Sequence, residues 1–265
     1  MRVRTRAEEK KNERYNRKII LAVFIIPIVS ILVGFLITQF LIKPYIVKIS
    51  NNTLYEKYTF DLPTLNYYQV KFGEYKDENE AKYNLNLLMM KGLFGDIYLN
   101  GDKYILSVGN FLNEQNAIDY NKRLNISGVK ATIILNKGPL YEIAYEKNSS
   151  HDVEITKEYV NSLYENLSQL SILSYKTAMG NVDVKDIDIL ESTIKNSIKN
   201  IKYFNDKGNL QKIASGITSI NNFILSDIKD LKTSVQLQDG NAFSITQKAL
   251  INSIKSYDGL ISSLK

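Results

Sequence analysis

Residues 68–99 lie on residues 104–135 without a gap, at a constant offset of 36. Tyr68 matches Tyr104, Gly73 matches Gly109, Glu78 matches Glu114 and Ala81 matches Ala117 at that offset. Leu88 and Leu124, Gly92 and Gly128, Ile97 and Ile133, and Leu99 and Leu135 follow, with Tyr75 opposite Phe111. Two copies of one unit must adopt the same local structure, which excludes most folds at once. They are too few for a solenoid, which needs about three or more stacked units. The reading is a duplicated βαβ domain.

Each half builds the same way. In YQVKFG and YILSVG, Tyr68, Val70 and Phe72, or Tyr104, Leu106 and Val108, alternate with Gln69 and Lys71, or Ile105 and Ser107. A period of two predicts half-buried strands, each closing on a glycine. Asp77 with Glu80 predicts a capping box, and Asn113 is the equivalent cap in the second half. Ala81, Leu85 and Leu88, like Ala117 and Leu124, predict the buried helical stripe. Gly92 and Gly128 stand where a helix ends in a left-handed residue. A second strand ends each half, with Gly95, Ile97 and Leu99 matching Ala131, Ile133 and Leu135 on the core side. The expected result is β-α-β-β-α-β, a four-stranded antiparallel sheet with both helices on one face.

The segments on either side differ in kind. Between Lys18 and Lys43 run 24 residues without a charge. A helix rising about 1.5 Å per residue crosses a core about 30 Å thick with roughly 20 of them. A buried core helix rarely runs so far without a charge, and a cleavable signal would end in small residues, where this segment ends in Phe40, Leu41 and Ile42. The reading is an uncleaved signal anchor over 19–42. Residues 1–18 hold eight Lys or Arg against three Glu, which keeps the N-terminus cytoplasmic and exports the bulk of the chain. That tail carries +5 of the formal +6, leaving +1 on everything after it, so the basic balance reports topology and gives no reason to expect nucleic acid. The chain has no cysteine, in keeping with a bacterial surface protein that does without disulfides.

After the repeat, spacings of three and four run through Val160, Leu163 and Leu167, through Ile187, Leu190 and Ile194, through Ile213, Ile217 and Ile220, and through Leu250, Ile254 and Tyr257. Turn residues at Gly180 and Asn181, Asp206 to Asn209, and Asp239 to Asn241 separate four amphipathic helices, which pack naturally as an antiparallel bundle. The fold class is α+β. The expected order is a basic tail (1–18), an anchor (19–42), a juxtamembrane stalk (43–66), the repeat domain (67–136), a connector (137–154) and an all-α bundle (155–265).

The motifs Tyr68 to Tyr75 and Tyr104 to Phe111 make residues 67–136 resemble the SPOR (sporulation-related repeat) domain of bacterial cell-envelope proteins. The first half departs from that pattern at Lys71, where the family has glutamine, at Phe72, where it has valine, and at Glu74, where it has serine. Asn110 stands where the second half has proline. The resemblance implies binding of peptidoglycan glycan strands, often at division septa, across the sheet face that the helices leave open. By strand alternation that face carries Gln69, Lys71, Asp96, Tyr98, Ile105, Ser107, Thr132 and Ile134. Hydroxyls, an amide, charges and one aromatic ring suit sugar hydroxyls and a sugar ring. An ordinary solvated face, or one covered by the C-terminal helices, is the alternative.

Catalysis has no motif to rest on. His151, the single histidine, has no cysteine or acidic cluster at metal-ligand spacing beside it. No nucleophile elbow, phosphate loop or zincin helix occurs, and neither cofactor nor metal is expected. The chain is therefore expected to be a non-enzymatic protein of the bacterial cell membrane, spanning it once and binding peptidoglycan at division or sporulation septa. The competing expectation is a structural or assembly protein whose bundle recruits a division or sporulation partner.

Overall fold

The computed structural model describes residues 58–138, 141–145, 150–201 and 209–264. Residues from Tyr58 onward form one compact unit. Its elements are β1 (Tyr58–Leu62), β2 (Tyr67–Tyr75), α1 (Glu78–Met90), β3 (Asp96–Asn100), β4 (Lys103–Phe111), α2 (Glu114–Ile126), β5 (Thr132–Asn136) and β6 (Tyr141–Tyr145). Four helices follow: α3 (Ser150–Met179), α4 (Val184–Asn200), α5 (Asn209–Leu237) and α6 (Ala242–Ser262). Among the described residues no helix is long and apolar enough to cross a membrane. The expected anchor, 19–42, lies outside the described residues.

The repeat survives in three dimensions residue for residue: β4, α2 and β5 begin and end 36 positions after β2, α1 and β3. The sheet order is β3-β4-β2-β5 with every neighbour antiparallel. Val70, Leu106 and Val108 meet Leu88, Ala117, Tyr120 and Leu124 in one core, so α1 and α2 share one face. Each helix ends as its glycine predicts. Gly92 and Gly128 have φ of 72° and 78°. The N–H of Leu93 bonds the carbonyl of Leu88, and that of Val129 bonds the carbonyl of Leu124, at 3.0 and 2.9 Å. This is the Schellman closure, with an apolar residue folded back onto the last turn.

Details depart from the expectation. Asp77 caps α1 by accepting the N–H of Asn79 at 3.3 Å, in place of a box with Glu80. The glycines do not close their strands, which run two residues further to Tyr75 and Phe111. Gly109 is needed for close approach: a Cβ there would lie 3.0 Å from the Tyr120 ring. Leu99 and Leu135, expected on the core side, are 61% and 42% exposed, each on an edge strand of the sheet.

The stalk and the connector are not plain linkers. Their parts β1 and β6 pair antiparallel, from Tyr58 opposite Tyr145 to Leu62 opposite Tyr141. Helix α3 starts at Ser150, five residues before the expected bundle, and carries His151 exposed on its first turn. The apolar stripes meet in a second core built from Leu163, Leu167, Ile187, Ile194, Ile217, Ile224, Leu250 and Ile254, which also takes in Leu62 and Leu65 from before the sheet. Gly216 brings α5 and α6 together, since a Cβ there would meet the Leu260 side chain.

Candidate functional site

Strand register puts all eight expected residues on the face opposite α1 and α2. One rung runs Asp96, Ser107, Lys71, Thr132 across β3, β4, β2 and β5. Beside it Tyr98 is opposite Ile105, and on the far side Gln69 lies between Asn110 and Ile134. Side chains directly opposite in an antiparallel pair share a face. A bulge in β4 at Val108 and another in β2 at Phe72 keep Leu106 and Val108 in the core while Ser107 faces the other way.

The structure does not leave the eight equally open. Gln69, Ile105 and Ser107 are 2%, 5% and 1% exposed. Tyr98 causes part of this: from β3 it donates its phenol O–H to Gln69 Oε1 on β2, so its side chain crosses over β4. Burial pushes the Tyr98 phenol up to about 12, which keeps it a donor throughout the physiological range. Ser107 is turned inward, toward the carbonyls of Val70 and Gly109 at 3.4 and 3.2 Å, where it satisfies the bulged backbone. Thr132 stays exposed, and Lys71, Asp96, Tyr98 and Ile134 are half-buried.

A second lid is ionic. Glu74 takes Lys71 at 3.0 Å and also pairs with Lys103. Lys103 and Lys71 together hold the Glu74 carboxyl below the ordinary carboxylate range. Lys71 and Glu74 are thus coupled: the lysine on the face has its counter-charge three residues away.

Helix α6 closes one end of the face. Its Gln247 is buried and pairs with the backbone of Asn110, accepting the N–H at Oε1 (2.7 Å) and donating Nε2 to the carbonyl (2.9 Å). This occurs at the end of β4 beyond the start of β3, so a side-chain amide finishes a ladder the strand leaves unpaired. A proline at this position would have no N–H to give. Phe243 of α6 packs on Phe94 and Tyr120 at centroid distances of 5.8 and 5.1 Å.

What remains accessible is a groove of about 210 Å³ where the face meets α6. Tyr67, Gln69, Asp96, Tyr98 and Asn110 line it from the sheet, with Ile251, Ile254 and Lys255 from the helix. Sequence reasoning reached Gln69, Asp96 and Tyr98. It missed Tyr67, Asn110, Lys255 and the apolar pair, since nothing local to α6 says which end of the sheet it meets. Among the described residues there is no group of three or more side chains that could hold a metal ion.

No family model and no curated protein matches the chain. Among solved structures, the peptidoglycan binding domain of the B. subtilis cell wall lytic enzyme CwlC is similar at 25% identity. The likeness spans 27% of this chain and 90% of that domain, with a TM-score of 0.25.

Proposed function

We propose that this chain is a membrane-anchored, extracytoplasmic protein that binds peptidoglycan glycan strands without cleaving them. The groove between the sheet face and α6 is the observation that carries the reading. It sets two tyrosines, two amides, a carboxylate and an ammonium beside apolar walls, the combination that hydrogen-bonds sugar hydroxyls while stacking a ring. Thr132 and Lys71 extend the polar strip along the sheet, as a strand of several sugars requires. The resemblance of residues 67–136 to the SPOR repeat supports the ligand class, and the basic tail before an uncharged stretch supports the anchored, exported topology. Concentration at division or sporulation septa follows if the glycan there is the preferred ligand.

The test is co-sedimentation of the purified full chain with isolated sacculi. The parent is expected to pellet, and Lys71→Ala with Lys255→Ala to lose at least tenfold in affinity, both side chains being surface-reachable and outside the core. A parent that stays in the supernatant sinks the ligand. Equal pelleting by the double variant sinks this groove as its site. One observation favours the assembly reading: Tyr98, Gln247 and the Lys71–Glu74–Lys103 cluster already occupy much of the face. An unbound parent leaves that reading standing.

A further inference from the structure

The interior of the helical bundle holds two asparagines, Asn166 on α3 and Asn221 on α5, both 0% exposed. Asn166 Nδ2 donates to Asn221 Oδ1 at 3.2 Å and to Ser197 Oγ at 3.3 Å. Ser197 gives its own proton to the Thr193 carbonyl at 3.0 Å, so in the 2.8 Å contact between Ser162 and Ser197 the donor is Ser162. With these bonds assigned, Asn221 Nδ2 and Asn166 Oδ1 are both buried without a hydrogen-bond partner among the described residues. A buried pair of asparagines can serve only to fix helix register. Such a pair would be expected to satisfy itself in a dry core, because an unmade buried donor is costly.

Asn221 does not face a dry core. It lines a cavity of about 450 Å³ between α3, α4 and α5, together with Ser162 and Ser197. Ile155, Ile201 and Ile217 form apolar walls. Glu158 and Glu165, exposed and seven residues apart on one face of α3, line it too, and among the described residues no lysine or arginine does. Neither glutamate has an ion pair among the described residues. A fully buried N–H donor and two carboxylates at the rim define an occupant with an acceptor at one end and positive charge at the other.

We propose that this cavity binds a small organic cation bearing a hydroxyl or carbonyl acceptor, the acceptor bonded to Asn221 Nδ2 and the ammonium held by Glu158 and Glu165. The site is independent of the sheet face. Glucosamine and lysinamide are the probes, with glucose as the uncharged control, titrated calorimetrically into the purified full chain. Saturable binding of at least one amine is expected, with glucose at least tenfold weaker. Glu158→Gln with Glu165→Gln should remove that preference. Asn221→Leu should lose at least tenfold in amine affinity, with the fold checked by circular dichroism because the substitution also removes the oxygen that accepts from Asn166 Nδ2. Failure of both amines to bind overturns the proposal. So does glucose binding as well as the amines, or an Asn221→Leu chain that is folded by circular dichroism and binds like the parent.

Discussion

Asn110 is the residue at which local sequence and tertiary structure pull apart. Against the SPOR pattern that residues 67–136 resemble, it stands in place of a proline. In the fold its N–H and carbonyl are both taken by Gln247, 137 positions away. Asn110→Pro is expected to remove that donor and leave the Gln247 oxygen buried, costing about 2 to 4 kcal/mol. Asn110→Ser keeps the N–H and should cost less than half as much. Urea unfolding midpoints of the two variants check this; equal losses would mean that the side chain, and not the backbone amide, is what matters. Lys71 and Glu74 show the same lesson at shorter range. Each looks isolated in the motif, but the 3.0 Å pair between them couples the two. Neither partner alone says so, because a surface ion pair leaves no periodic trace in a sequence.

Elements were the most legible level. Strand alternation, the helix stripes, the Asn113 cap and the terminal glycines all act within a few residues of the chain, so they are written where they operate. Gly92 and Gly128 test this directly, as both have positive φ and open space around the missing Cβ. Gly92→Ala and Gly128→Ala should each cost about 1 kcal/mol through backbone strain alone. The double variant should lose the sum, the two turns being separate; the measurement is again equilibrium unfolding. A cost well above that would point to side-chain clashes that the structure does not contain. The edges of elements were less legible. Leu99 and Leu135 carry the core-side phase of their strands yet are exposed, because phase says which face a residue takes and not whether anything covers it.

At the scale of the molecule the repeat domain and the bundle are joined more closely than a stalk-and-connector reading implies. The strands β1 and β6 pair across the ends of the repeat domain, Leu62 and Leu65 enter the helical core, and Phe243 enters the sheet core. Residues 58–265 are therefore expected to melt in one calorimetric transition. Phe243→Ala should cost about 2 kcal/mol, below the 3 to 5 of a fully buried phenylalanine because its ring is only partly buried. Combined with Gln247→Ala, it should split the transition in two. Two transitions in the parent would show that the contacts with α6 do not couple the layers.

The sequence by itself determined the duplicated β-α-β unit, which residues share the face opposite its helices, and the four helical stripes, because periodicity and capping chemistry act over distances the chain itself spans. Only the tertiary structure decided which of the eight face residues stay accessible. That depends on Tyr98 reaching Gln69 from 29 positions away and on α6 docking at Asn110 from 137. Burial is a property of neighbours, and those neighbours are remote in the chain.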